Sequence, residues 1–171
     1  MPRKPNSHRD LAKIAASHCL KQGWCKVVAW ELAFNDGVAD CIGISLGSSP
    51  SARITVVEVK RTRADLLQDL KAGKMLKYQD NATHCVLAAT KEALGLNKLT
   101  VKQALAELRK LGLPKTWGVW VLPTTGKRKP RSISNAKQLG KLDLTFRDKL
   151  VESVAISLCR RALNRRSPLK A

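Results

Sequence analysis

An α/β fold, a mixed sheet flanked by helices, is what this sequence predicts, on three observations. Apolar residues recur at helical spacing in four segments, at 8–22, 63–79, 100–111 and 143–165. Between the first and last of these lie five short runs rich in β-branched and aromatic residues. The first three runs follow one another directly, whereas the later two are separated by helices. Consecutive strands pair as hairpins and strand–helix–strand units return the chain parallel, so the sheet is mixed and its faces need helices to cover them.

Taken in order, residues 8–22 place Leu11, Ile14, Ala15, Cys19 and Leu20 on one helical stripe, with Asn6 or Ser7 as cap and Gly23 as stop. KVVAWELAF (26–34) reads as a strand, and Asn35-Asp36-Gly37 is a strong turn signal. GVADCIGISL (37–46) is a second strand, and the loop at 47–52 separates it from a third, RITVVEVKR (53–61). Leu66, Leu67, Leu70, Met75 and Leu76 make 63–79 an amphipathic helix interrupted near Gly73. HCVLAAT (84–90) suits a buried strand. Thr100 opens and Gly112 closes the helix at 100–111, and WGVWVLP (117–123) is the fifth strand, with Trp117 and Trp120 expected in the core. Residues 124–142 are basic and turn-rich and read as a connecting loop. The expected organisation is a basic arm (1–7), a core (8–123), that loop, and a C-terminal helix with a basic tail (143–171).

Composition bounds the function. Of 171 residues, 44% are hydrophobic and 26% charged, which places the chain among folded proteins rather than disordered ones. Thirty-two Lys and Arg against 13 Asp and Glu leave a formal charge of +19. A polyanion is the natural partner for such a surplus, and nucleic acid is the leading one. An anionic membrane is disfavoured, because no helix pairs a basic face with a long aromatic-rich apolar one. No apolar run approaches the ~18 residues of a membrane span, and MPRKPNSHRD lacks the apolar centre of a secretory leader. The expected location is cytoplasmic, nucleoid-associated if the source is bacterial. The five cysteines, Cys19, Cys25, Cys41, Cys85 and Cys159, include no C-x-x-C pair. Neither zinc nor an iron–sulfur cluster is therefore expected, and the cysteines read as buried reduced thiols.

The sharpest chemical signal is Asp40 followed by Glu58-Val59-Lys60. Two apart on one strand, Glu58 and Lys60 share a face. Asp40 precedes the intervening loop by nearly the distance at which Glu58 follows it, so a tight hairpin sets the two almost opposite. Glu31 stands in the same relation to Asp40 across the Asn35-Asp36-Gly37 turn. Three carboxylates then converge with one ammonium. Clustered carboxylates need a cation or proton, and hard oxygen ligands select Mg²⁺ or Mn²⁺. A lysine beside such an ion suits phosphodiester hydrolysis. The competing interpretation is a set of ordinary Glu–Lys pairs on a solvated hairpin, although Val56, Val57 and Val59 argue against a solvated edge.

The block GVAD…ITVVEVKRTRADLLQDLKAGKMLKYQDNATHCVLAAT resembles the core of the PD-(D/E)XK nuclease superfamily, and within it the MmcB-like DNA repair family. The similarity lies in the order of a Glu, an Asp and E-x-K on successive strands, then a helix bearing D…D…K…Y. Here these are Glu31, Asp40, Glu58 and Lys60, then Asp65, Asp69, Lys74 and Tyr78. The resemblance implies a restriction-endonuclease-like sheet with an α-β-β-β-α-β core plus an extra crossover helix and strand. It implies a Mg²⁺-dependent DNA endonuclease of repair, recombination or a mobile element. It also implies that Asp40 and Glu58 bind metal with the Val59 carbonyl, that Lys60 is the catalytic lysine, and that Glu31 is a further metal-associated carboxylate.

Other residues make weaker claims. Arg61, Arg63, Lys71, Lys74 and Lys77 follow the site and are candidate phosphate contacts, as are Lys127, Arg128, Lys129 and Arg131 in the basic loop. Arg160, Arg161, Arg165 and Arg166 read as a phosphate-binding tail or as a basic helix end. His8, His18 and His84 are far apart, and none is expected near the carboxylates. DNA, duplex, nicked or branched, is the expected partner, with a homodimer if both strands of a duplex are cut. Two other function classes stand beside the nuclease. One is a non-catalytic nucleic-acid-binding protein on the same scaffold; the other is a winged-helix protein built around 100–121 with no metal dependence.

Overall fold

The computed structural model describes residues 5–21, 25–34, 37–46, 52–126, 128–140 and 142–165, the last five of these as backbone only. Gly23, the Asn35-Asp36 turn, most of the 47–52 loop, Lys127 and Arg166 lie outside these residues.

Eleven elements follow one another: α1 (His8–Lys21), β1 (Val27–Phe34), β2 (Gly37–Ile44), β3 (Ile54–Lys60), α2 (Arg63–Lys71), a short 3₁₀ turn (Lys74–Tyr78), β4 (His84–Thr90), α3 (Val101–Lys110), β5 (Gly118–Leu122), β6 (Arg131–Ser134) and α4 (Leu144–Arg165). The strands form one six-stranded sheet in sequence order. β1, β2 and β3 pair antiparallel, β3–β4 and β4–β5 pair parallel across α2 and α3, and β6 closes antiparallel on β5. The chain is thus α/β with a mixed sheet flanked by helices.

Local chemistry explains the boundaries. Thr62 caps α2 by accepting from Asp65 N–H, and Thr100 and Gln103 form a reciprocal capping box at the start of α3. Gly73 adopts φ 63°, a left-handed turn that ends the helical run and starts the 3₁₀ segment. The expected long helix is therefore broken at the glycine that interrupts its pattern.

Helices cover both faces. Leu11, Ala12, Ala15 and Cys19 of α1 pack on Val57, Val59, Val86, Ala88, Trp120 and Leu122. Leu66 and Leu70 of α2, Leu108 of α3 and Leu150 and Val154 of α4 pack with Ile42, Val56, Leu87 and Val119 on the other face. Trp117 and Trp120 are both buried, as expected. α3 belongs to this core as a crossover between parallel strands, which does not suit a winged-helix reader. Among the described residues no helix is long and apolar enough to cross a membrane.

Two segments differ from the sequence expectation. Within the basic loop, Arg131–Ser134 is an edge strand rather than a free connection. Its four residues carry a charge and alternate poorly, so the period-2 signal is weak. The end of the N-terminal arm is docked: Asn6 N–H donates to Thr124 O at 2.8 Å, and its side-chain amide donates to Pro123 O at 3.0 Å and Gly126 O at 2.9 Å.

Candidate active site

All seven residues of β3 are buried, because the strand has neighbours on both sides and helices on both faces. Two are charged, Glu58 at 2% exposure and Lys60 at 3%. Alternation with Val56 points both toward the α2 side. A buried charge has to be paired, and partners come from the next element. Lys60 Nζ lies 2.9 Å from Glu58 Oε1, 2.6 Å from Asp69 Oδ2 and 3.8 Å from Asp65 Oδ1. Asp65 and Asp69, four apart on α2, share its inward face. The turn at Gly73 then brings Lys74 Nζ back to 3.0 Å from Asp69 Oδ2 and 3.9 Å from Glu58 Oε1. Tyr78 closes the floor, its hydroxyl donating to Val38 O at 3.1 Å.

The electrostatics follow from this packing. Burial, then the Asp40 charge, pushes the Glu58 carboxyl above its ordinary range, while Lys60 and Lys74 pull against them. Burial disfavours the Lys60 ammonium, but Glu58 and Asp69 outweigh it and its pKa is raised. For Asp69 burial is outweighed by the bonds from Lys60 and Lys74, and its pKa is lowered. Lys60 is accordingly a firm cation at neutral pH.

Asp40 sits where the ladder is interrupted. Strand alternation puts i and i+2 on one face, yet Ala29 with Leu32 and Ala39 with Ile42, three apart, share the same core. The phase slips at Glu31, which has a left-handed φ of 51°, and at Asp40 across from it. Cys41–Val57 is the last pair of the β2–β3 ladder, one step short of Asp40 and Glu58. In place of a ladder bond, Asp40 Oδ2 accepts the Val59 N–H at 2.7 Å. Asp40 is close enough for its charge to act on Glu58.

The structure corrects one expectation here. His8, at the start of α1, lies beside the carboxylates: its Nε2 is 3.5 Å from Asp40 Oδ1 and 3.2 Å from Val59 O. Both neighbours are acceptors, so that nitrogen carries a proton. The hydrogen bond to Asp40 is the main reason that the His8 pKa is raised, against the effect of burial. Thirty-two residues separate the pair in sequence, and only the packing of α1 on Val59 brings them together.

The donors chemically suited to a hard cation are Asp40 Oδ1, the Val59 carbonyl and Glu58 Oε2, the last buried without a hydrogen-bond partner. Two carboxylates and a carbonyl, completed by water, fit Mg²⁺ or Mn²⁺ chemically. Among the described residues no three His, Cys, Asp or Glu side chains stand grouped to hold an ion. Glu31 is exposed across from Asp40, whereas Glu58 is buried.

The basic residues divide. Arg63 is part of the fold, paired with Glu107 and donating to Ala93 O at 3.1 Å. Lys74 holds Asp69, and Lys77 lies 4.9 Å from the centre of the Tyr78 ring. Arg61, Lys71, Arg128, Lys129, Arg131 and Arg160 are exposed. Cys19, Cys25, Cys41 and Cys85 are buried, whereas Cys159 is exposed.

No family model matches the chain, and no curated protein does. A solved structure is similar throughout: the SPO1766 protein of unknown function from Silicibacter pomeroyi, with a TM-score of 0.63 and 22% sequence identity, over 100% of this chain and 97% of that one. At that identity the likeness is one of fold.

Proposed function

We propose that the protein is a metal-dependent DNA endonuclease hydrolysing phosphodiester bonds in repair, recombination or a mobile element. The element order α1-β1-β2-β3-α2-β4 supports a restriction-endonuclease-like core. The observation that carries the reading is the unpartnered, buried Glu58 Oε2 on a strand step facing Asp40, with Lys60 Nζ on the other oxygen of the same carboxylate.

Asp40, Glu58 and the Val59 carbonyl would hold Mg²⁺ or Mn²⁺, which supplies Lewis acidity and a water acidic enough to attack at neutral pH. Lys60, held as an ammonium by Glu58 and Asp69, places fixed positive charge where the transferring phosphoryl group gains negative charge. That role suits it better than proton abstraction, for which a raised pKa is the wrong direction. His8 steadies Asp40 and the Val59 carbonyl. The exposed cations Arg61, Lys71, Arg128, Lys129 and Arg131 supply phosphate contacts that position the strand.

One observation favours a second reading, a non-catalytic nucleic-acid-binding protein on this scaffold. Lys60 and Lys74 already pair with the buried Glu58 and Asp69 carboxylates without any metal. Labelled plasmid, nicked, flap and four-way DNA incubated with Mg²⁺, Mn²⁺ or chelator separates the two. The nuclease cuts at least one substrate, loses activity with chelator and in Asp40→Asn, and keeps its DNA affinity in that variant. Retarded but uncut DNA in every arm, or equal cleavage by Asp40→Asn, overturns the catalytic assignment.

A further inference from the structure

A groove of about 530 Å³ lies between α1 and the chain at 126 and 128–130. Asp10, Lys13, Ile14, Ser17, His18 and Lys21 form its helical wall, spaced three and four apart so that they make one stripe. Eleven residues of helix give that stripe a length of roughly 16 Å. Leu11, Ala12, Ala15 and Cys19 anchor the rest of α1 to the sheet. The far wall is tied to the docked arm at Gly126. Asn6, itself part of the lining, donates through its side-chain amide to Pro123 O at 3.0 Å and Gly126 O at 2.9 Å, and Pro5 bridges to Thr125.

Charge and burial are layered across this groove. Lys13, Lys21, Arg128 and Lys129 are exposed along its two rims, whereas Ile14 and Ser17 are half-buried and His18 and Pro130 are buried between them. Among the described residues no ion pair holds any of the four cations. The one carboxylate on the described walls, Asp10, accepts from the Ser7 N–H at 3.0 Å and the Ser7 hydroxyl at 2.7 Å.

Both rims reach the same floor. Burial lowers the His18 pKa, and Lys129 from one rim and Lys21 from the other lower it further against the opposing influence of Cys19. The ring is held edge-on against Trp120 with centroids 4.7 Å apart. The floor is therefore uncharged at neutral pH and lies under two cationic rims.

That layering selects a class of ligand. Unpaired cations over an uncharged, partly apolar floor fit a chain that alternates negative charge with flat apolar surface. A single nucleic-acid strand has this profile, with phosphates for the rims and unstacked bases for Ile14 and Pro130. A duplex presents phosphates but keeps the faces of its bases stacked inside, so it has nothing to set on the floor. An acidic peptide brings carboxylates without bases. The groove shares no residue with the Asp40–Glu58–Lys60 cluster, yet α1 joins the two, because His8 at the head of the helix contacts Asp40 and Val59 O.

We propose that the α1 groove binds a single-stranded segment of nucleic acid, its phosphates on Lys13, Lys21, Arg128 and Lys129 and its bases on the floor between them. The inference rests on the nucleic-acid part of the function proposed above, and not on catalysis. Among substrates of the nuclease it favours those with an unpaired tail. It is tested on the full chain in chelator, so that nothing is cut. Fluorescence anisotropy follows a labelled oligothymidylate, and an abasic strand of equal length, across a salt series. Each phosphate contact on a single strand contributes about −0.7 to the slope of log K against log salt. Lys13→Gln with Lys21→Gln should therefore make the slope shallower by about 1.4, the worth of two contacts, and so should Arg128→Gln with Lys129→Gln. The abasic strand, with the same phosphates, should bind several-fold more weakly, and Ile14→Ala should narrow that gap while leaving the slope alone. At equal charge, unlabelled single strand should displace the probe better than its duplex with oligoadenylate or than polyglutamate. An unchanged slope in either lysine or arginine–lysine pair, equal affinity for the abasic strand, or equal displacement by duplex or polyglutamate overturns the inference and leaves the nuclease reading standing. Failure of every nucleic acid to bind sinks both readings together.

Discussion

Replacing Lys60 by Met keeps the length of the side chain and removes its charge. The loss falls unevenly on its partners. Asp69 retains Lys74 at 3.0 Å, whereas the nearest remaining cation to Glu58 is that same ammonium at 3.9 Å, on a side chain 42% exposed. Stripping one partner from a buried ion pair costs about 3–5 kcal/mol, and here Glu58 bears most of it. Burial and Asp40 already raise the Glu58 pKa, and losing Lys60 removes the main opposing influence. A carboxyl whose folded pKa lies above its unfolded value near 4.3 binds a proton in the native state that the unfolded chain releases. Its stabilising contribution is full below the unfolded pKa and disappears as pH rises through the folded one. Urea denaturation of Lys60→Met in chelator should therefore show a modest deficit at pH 5 and about 3–5 kcal/mol at pH 8. Adding Glu58→Gln should flatten that slope. A single variant within about 1 kcal/mol of the parent at pH 8, the worth of an exposed pair, would refute the account of this cluster as a mutually dependent buried network.

Other expectations follow from the same geometry. By NMR titration His8 should titrate above 6.5 and His18 and His84 below it, since Asp40 raises the first while burial lowers the other two. With a raised folded pKa, His8 contributes stability below its unfolded value that is lost as pH climbs through the folded one, so His8→Gln should matter more at pH 6 than at pH 9. Gly43→Ala should destabilise by about 1–3 kcal/mol because the new methyl collides with the Cys25 sulfur, and Cys25→Ala in the same chain should restore most of it in thermal melts. Gly118→Ala meets the backbone N of Ala136 at 2.7 Å, a neighbour that cannot be trimmed, so no such second-site rescue is expected there.

Much of this was legible before any coordinates. The alternation of Val56, Val57 and Val59 around Glu58 and Lys60 marks a strand buried on both sides, and period 2 then forces the two charges to one face. The nearness of Asp40 to Glu58 is hairpin arithmetic, and the β2–β3 ladder runs to within one residue of both. What escaped depends on contacts that spacing does not encode. His8 reaches Asp40 through the docking of a helix. Glu31 adopts a left-handed φ of 51°, and a left-handed glutamate has no sequence signature. Arg63 looks like any cation after the E-x-K lysine until its partner Glu107, 44 residues on, is seen beside it. β6 is short, charged and at an edge, where pairing is satisfied on one side alone.

The cluster around Lys60 carries a lesson for inheritance. Because Glu58, Lys60 and Asp69 keep one another tolerable in the interior, a descendant that abandoned chemistry would still be penalised for discarding any one of them. Selection for a folded chain alone therefore preserves the E-x-K signature, and its persistence across a lineage is no ledger of activity. Asp40, bonded to one backbone amide and one imidazole, is the position that the fold alone constrains less.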